Sequence, residues 1–145
     1  MGMVTTFSEK RREKQWNFER KVLRNVSLKQ MKENVQGHFR PIIPFHFLNH
    51  PFLIDPCMDI AIDAYLLGAG YGRFGFLGET RVEVKERCEE DIIELTHMLF
   101  DFLQGWLMDA DFMFDSLQIV SDVFINEWWE KGFQEGEKLI RLRLH

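Results

Sequence analysis

Residues 55–67, DPCMDIAIDAYLL, read as a helix with a single wet side. Asp55, Asp59 and Asp63 stand at i, i+4 and i+8, which on a helix makes one stripe, while Ile60, Ala61, Ile62, Ala64, Tyr65 and Leu67 cover the rest of the circumference. Such a helix belongs in the middle of a protein, with its polar stripe exposed or paired. Asp55 followed by Pro56 reads as N-cap and first helical residue. The glycines at 68, 70, 72, 75 and 78 end the helix and predict a connector over 68–79.

Upstream, all four prolines fall in PIIPFHFLNHPFLIDP, residues 41–56, which confines the strong backbone breakers to one connector, 41–55. Phe45, Phe47, Leu48, Phe52, Leu53 and Ile54 make it too apolar to lie in water, so it is expected to fold back over the helices as a lid. Before it, Ser8 is a candidate N-cap, and from Glu9 the chain is dense in good helix formers. Phe18, Val22 and Val26 recur every fourth residue, and with Trp16 and Leu23 they form a broad apolar face opposite a basic one. Asn25 to Ser27 interrupts this pattern. Ser27 with Gln30 fits a capping box, and Leu28, Met31, Val35 and Phe39 continue towards Gly37 and beyond, as one kinked helix or two.

Downstream, Thr80 with Glu83 is a second capping box, and the spacing of Val84, Cys88, Ile92, Leu95, Leu99, Phe102 and Trp106 predicts a long helix to about Gln104. A last helix starts near Asp109 or Asp111 and runs through Leu117, Val120, Phe124 and Trp128 to the basic KLIRLRLH, residues 138–145. Only TRVEVKE shows any strand-like alternation, and there the cap reading competes. The expectation is an all-α, four- to five-helix antiparallel bundle forming a single domain, 1–145.

Composition supports an ordered chain: of 145 residues, 46% are hydrophobic and 28% charged, with fourteen Phe and four Trp to fill a core. The longest uncharged run, between Arg40 and Asp55, is too short to cross a bilayer, so no transmembrane segment is expected. MGMVTTFSEKRREK has no apolar stretch after its basic part, so no secretory signal is expected either. Two cysteines, Cys57 and Cys88, make neither a disulfide framework nor a Cys-rich zinc site, which fits a reduced, cytoplasmic protein. The net charge of −5 conceals a division. Residues 1–40 hold ten Lys or Arg against four Asp or Glu, a net of +6, and residues 41–145 hold eight against nineteen, a net of −11. The basic arm is expected to dock on its own tethered acidic body rather than on an external polyanion, so no nucleic acid is expected. The alternative is nucleic-acid or anionic-membrane binding through that arm.

For chemistry, Glu90, Glu94, His97 and Asp101 share one face of the fourth helix. Glu94 with His97 is the Glu-x-x-His pair that carboxylate-bridged di-iron bundles place in their cores, so Glu94, His97 and Asp101 are the candidate ligands for a divalent metal. A second such pair is lacking, and the solvated face of an amphipathic helix explains the same spacing. His38, His46 and His50 cluster near the proline connector, but Pro51 pushes His50 away from helical geometry. Gly70, Gly72 and Gly75 match G-x-G-x-x-G without the strand that a dinucleotide loop follows. Glu83/Glu86 and Glu127/Glu130 are E-x-x-E pairs of a kind that binds magnesium, and such pairs arise often in acidic helices. Cys88 lies on the apolar repeat and Cys57 in the first turn of the central helix, so both read as core thiols.

Gly132 and Gly136 lie four apart in WWEKGFQEGEKL and would let another helix approach closely, within the bundle or across a homodimer. Trp128, Trp129 and Phe133 beside them, with Trp16 and Phe18 on the arm, are the candidate interaction residues. FSEKRREKQWNFERK at the start and EWWEKGFQEGEKLIRLRL at the end resemble a family of short uncharacterised proteins from spore-forming bacilli. The resemblance implies a bacterial, cytoplasmic, all-helical protein and assigns no catalytic residue or cofactor to any position. The reading that follows is a non-catalytic helical interaction or regulatory protein with a protein partner or a second copy of itself. A metal-dependent enzyme is the rival.

Overall fold

Two glycine-bearing helices meet backbone to backbone at the centre of the computed structural model, which describes residues 7–43, 50–106 and 111–143. In chain order the helices are α1 (Phe7–Leu23), α2 (Leu28–Phe39), α3 (Ile54–Gly70), α4 (Gly72–Phe76), α5 (Arg81–Arg87), α6 (Glu89–Gln104) and α7 (Asp111–Arg143), with a 3-10 turn at Pro51–Leu53 before α3. The fold is an all-α helical bundle. Its most extensive contact joins α3, the helix read as central, to the 33-residue α7.

That contact is set by missing side chains. A Cβ on Gly132 would overlap the Tyr65 carbonyl, one on Gly136 the Ala69 carbonyl, and one on Gly68 the Trp129 carbonyl while sitting 2.8 Å from the Phe133 nitrogen. Ala61, Ala64 and Ala69 keep the facing side of α3 small and are themselves buried. The approach expected of Gly132 and Gly136 is therefore made within the bundle. It also accounts for the glycine-rich segment 68–79. α3 runs on to Gly70, α4 follows almost at once, and Gly72 lies against the α7 backbone at Gly136 and Glu137. Only Gly78, at φ 105°, uses the left-handed conformation that favours glycine.

The remaining helices dock on this pair. Met31, Val35 and Phe39 bury one side of α2 against α3 and α7, where Phe39 meets Phe124 edge to face at 5.4 Å. Leu99 and Leu103 of α6 are fully buried, as is Leu117 of α7. Each contributes on the order of 1.5–3 kcal/mol by leaving water. Ser27 caps α2 by accepting the Gln30 N–H at 3.2 Å, and α1 and α2 are two helices rather than one. Thr80 likewise caps α5 through the Glu83 N–H. The predicted long helix breaks at Cys88, whose backbone (φ −120°, ψ 23°) leaves helical geometry. Glu89, Glu90 and Asp91 then supply the acids that suit a new helix N-terminus. Asp55 is a first-turn acid of α3 rather than its N-cap, because the preceding 3-10 turn feeds straight into the helix. Around the proline connector, Ile43, Leu53 and Ile54 are buried, whereas Phe52 packs in the open on Trp106, ring centroids 5.0 Å apart. Phe45, His46, Phe47 and Leu48, the helix start at Asp109, and Leu144 and His145 lie outside the described residues.

The basic arm meets the acidic body through apolar contacts. Val22 is fully buried, and Phe18, Leu23 and Val26 pack against the core. Among the described residues no Lys or Arg of 7–40 forms an ion pair with a carboxylate of a later helix. Trp16, read as part of the packed face, is 58% exposed, with the Arg20 guanidinium 4.7 Å from its ring centroid. Val22→Ala should therefore cost about 1–3 kcal/mol in urea unfolding and speed proteolysis of the arm. Trp16→Ala should change stability by no more than about 0.5 kcal/mol. Equal losses for the two variants would contradict this packing.

Candidate functional site

An open groove of about 800 Å³ lies between α2 and α7. On α2, Asn34 and His38 lie one turn apart on the flank beside the buried Met31–Val35–Phe39 stripe, so both face α7. On α7, Trp128, Lys131, Glu135 and Lys138 follow at three- and four-residue steps and line the opposite wall. Tyr65 of α3 shares the floor with Trp128, their rings 6.2 Å apart.

The helix-to-helix bracing is polar and specific. A buried indole needs an acceptor for its N–H, and Trp128 Nε1 donates to Asn34 Oδ1 at 2.9 Å. His38 Nδ1 donates to the Asn34 carbonyl at 2.8 Å, its Nε2 lies 3.0 Å from the Glu127 carboxylate, and its ring meets Phe124 edge to face at 5.4 Å. At the far end the Asn25 amide donates to Glu135. The Tyr65 hydroxyl is pushed up to about 12, by burial first and by the Glu135 charge second, so it stays protonated at neutral pH. The Lys131 ammonium sits 4.3 Å from the Trp128 ring centroid, an attractive cation–π placement. With Gln30, Glu33 and Gln134 at the rim, the groove presents donors, acceptors and both signs of charge around an aromatic floor.

The residues singled out in the sequence divide among several places. Trp128, Trp129 and Phe133 are all buried; Trp128, 5% exposed, also lines this groove, and Trp129 and Phe133 stack on each other at 5.2 Å. Trp16 and Phe18 line a different groove, between α1 and the end of α7. Glu94, His97 and Asp101 are exposed on α6. His97 lines a cleft of about 530 Å³ with Asp115 and Asp122, and neither Glu94 nor Asp101 reaches it. Among the described residues no three His, Cys, Asp or Glu side chains stand together as a metal site would require. The Asp55/Asp59/Asp63 stripe is exposed, and partial burial and then the Asp59 charge raise the Asp63 carboxyl. Of the E-x-x-E pairs, Glu127 holds His38, and Glu130 ties α5 to α7 by accepting from Lys85 at 2.7 Å and Arg81 at 3.4 Å. Asn25, Asn34 and Glu135 were not legible as functional residues. The signal available was Trp128 itself, whose N–H would need an acceptor if the ring were buried.

The thiols are not poised as nucleophiles. Burial pushes Cys57 up to about 12 from its ordinary 9.0, and burial is also the largest influence raising Cys88.

A family model described as "Protein of unknown function (DUF2521)" matches residues 1–145, and the chain belongs to that family. It is 32% identical over 146 residues to "Uncharacterized protein YbaK" of Bacillus subtilis (strain 168), covering 99% of each chain. No solved structure matches it.

The buried thiol makes stability depend on alkaline pH. Between pH 9 and 12 an unfolded Cys57 releases a proton that the folded chain retains, so stability is full below that window and falls as pH rises through it. Urea midpoints at about pH 8 and about pH 10.5 should drop less for Cys57→Ala than for the wild type. Identical drops would show that Cys57 carries no such linkage.

Proposed function

We propose that this DUF2521 family member is a non-catalytic interaction protein that receives a protein partner in the groove between α2 and α7. One observation carries the reading: the groove is braced from beneath by Asn34, His38, Glu127 and Trp128, and a rim of amides and charges of both signs stays open to water. A wall with fixed helices and mixed rim chemistry suits a partner surface that is itself mixed, since charge pairs at a rim set register and orientation. Trp128, buried beneath the floor and tied to Asn34, holds the wall in place under the rim residues. The raised thiols and the protonated Tyr65 add no activated nucleophile there. The rival reading, a divalent metal held by Glu94, His97 and Asp101, has only their shared helix face in its favour.

Photo-crosslinking tests this proposal. A benzophenone side chain at Gln134, on the rim, should yield one discrete protein adduct in Bacillus subtilis cells expressing the chain, and Lys131→Glu should weaken it. The same probe at Glu90, exposed on α6 away from the groove, should yield none. An adduct of twice the chain's own mass would identify the partner as a second copy. Indistinguishable adducts from the two positions, or none from Gln134, would contradict the reading.

A further inference from the structure

At the end of the bundle where α1 begins and α7 finishes, a second groove of about 670 Å³ is lined by Arg11, Arg12, Lys14, Arg73 and Arg143, with Glu19 as its one acid. None of the five cations forms an ion pair with a carboxylate among the described residues. Arg141, in the last turn of α7, is satisfied by Glu137 at 2.7 Å and so leaves the groove's balance unchanged. Gathering five like charges around one concavity costs free energy that a single Glu19 cannot offset. The C-terminal ends of α3 and α7 contribute only about half a negative charge each. The groove is therefore electropositive and complementary to an anion.

Apolar groups choose which kind. Trp16 lines the groove and is 58% exposed, Phe7 opens α1 at 84% exposure, and Leu142 lines the adjoining cleft at 62%. Phe18 and Ile140 lie in both concavities. Cations flanked by exposed Trp, Phe and Leu match what a protein surface shows to the headgroup and upper acyl region of an anionic bilayer. A nucleic acid would use the faces of Trp16 for stacking, and the Arg20 guanidinium already lies over that ring. Residues 41–145 carry a net of −11 even with Arg73 and Arg143 counted, so the acidic rest of that span would be repelled by the same bilayer and would point away from it.

We propose that this end of the protein docks on an anionic phospholipid surface, with Arg11, Arg12, Lys14, Arg73 and Arg143 facing the headgroups and Trp16 and Leu142 entering the interface. The contact is peripheral: no described helix is long and apolar enough to cross a membrane. It is also separate from the α2–α7 groove, so a bound membrane and a bound protein partner need not compete.

Co-sedimentation with vesicles tests it, comparing mixed phosphatidylglycerol and phosphatidylcholine with phosphatidylcholine alone. The full chain should pellet with the mixed vesicles only, and added salt should release it. Reversing Arg11, Arg12 and Lys14 to Glu should lower the partition coefficient by at least about tenfold. The helix should survive this, because Glu is about as good a helix former as Lys and Arg. Circular dichroism would verify it. The same charge change at Lys29, Lys32 and Arg40, exposed on or just after α2, should leave binding near wild type, and Trp16→Ala should weaken it without altering the fold. Absence of binding to the mixed vesicles, equal binding to the neutral ones, or equal loss in the two triple variants would overturn the proposal. So would release of the bound chain by millimolar inorganic phosphate at constant ionic strength, which would assign the groove to a free anion. Retention of a single-stranded oligonucleotide that the first triple variant abolishes, with vesicle binding intact, would assign it to nucleic acid.

Discussion

The bundle depends on how closely α3 and α7 approach, and that approach exists because Gly68, Gly132 and Gly136 carry no Cβ. Each glycine sits over a carbonyl of the opposing helix, so the two backbones touch where side chains would ordinarily hold them apart. Close-packed interiors transmit a displacement instead of absorbing it, and everything docked on the pair inherits its geometry. Tyr65, whose carbonyl lies under Gly132, also lines the floor of the α2–α7 groove beside Trp128. The seam that holds the fold therefore also positions the proposed interaction wall.

Much of this was legible one helix at a time. The Asp55/Asp59/Asp63 stripe marked α3 as central, with its wet side outward, and both capping boxes, Ser27 with Gln30 and Thr80 with Glu83, hold through their first-residue oxygens. Gly132 and Gly136 announced a close neighbour by their spacing. Their partners are Tyr65 and Ala69 on α3, and the glycines at 68, 72 and 75 read locally as helix breakers but serve packing against α7 in three dimensions. Local propensity cannot reveal that, because the reason for Gly72 lies across the molecule at Gly136. The break at Cys88 escaped for a related reason: an unbroken apolar repeat continues through it, and only the backbone torsions depart.

The candidate site was less readable than the fold. Trp128, Trp129 and Phe133 stood out by size, yet all three are buried in the core, and Trp128 alone of them also lines the α2–α7 groove. Asn34 and His38 matter through partners about ninety residues away, a separation no spacing rule spans. The charge division at residue 40 was plain, but its consequence was not. The arm attaches by Val22 and its apolar neighbours, and Arg11, Arg12 and Lys14 line a groove without ion pairs among the described residues.

The most direct measurement of the central claim is urea unfolding of Gly132→Ala beside Gly37→Ala. Both positions are helical, but nothing lies within 4 Å of a Cβ at Gly37, whereas at Gly132 it would meet the Tyr65 backbone. Gly37→Ala should hold or gain stability, by about 0.5–1 kcal/mol from the helix preference of alanine. Gly132→Ala should lose about 3 kcal/mol or more, or fail to fold, because backbone atoms cannot repack as side chains do. A Gly132→Ala protein unfolding at the wild-type midpoint would contradict the account.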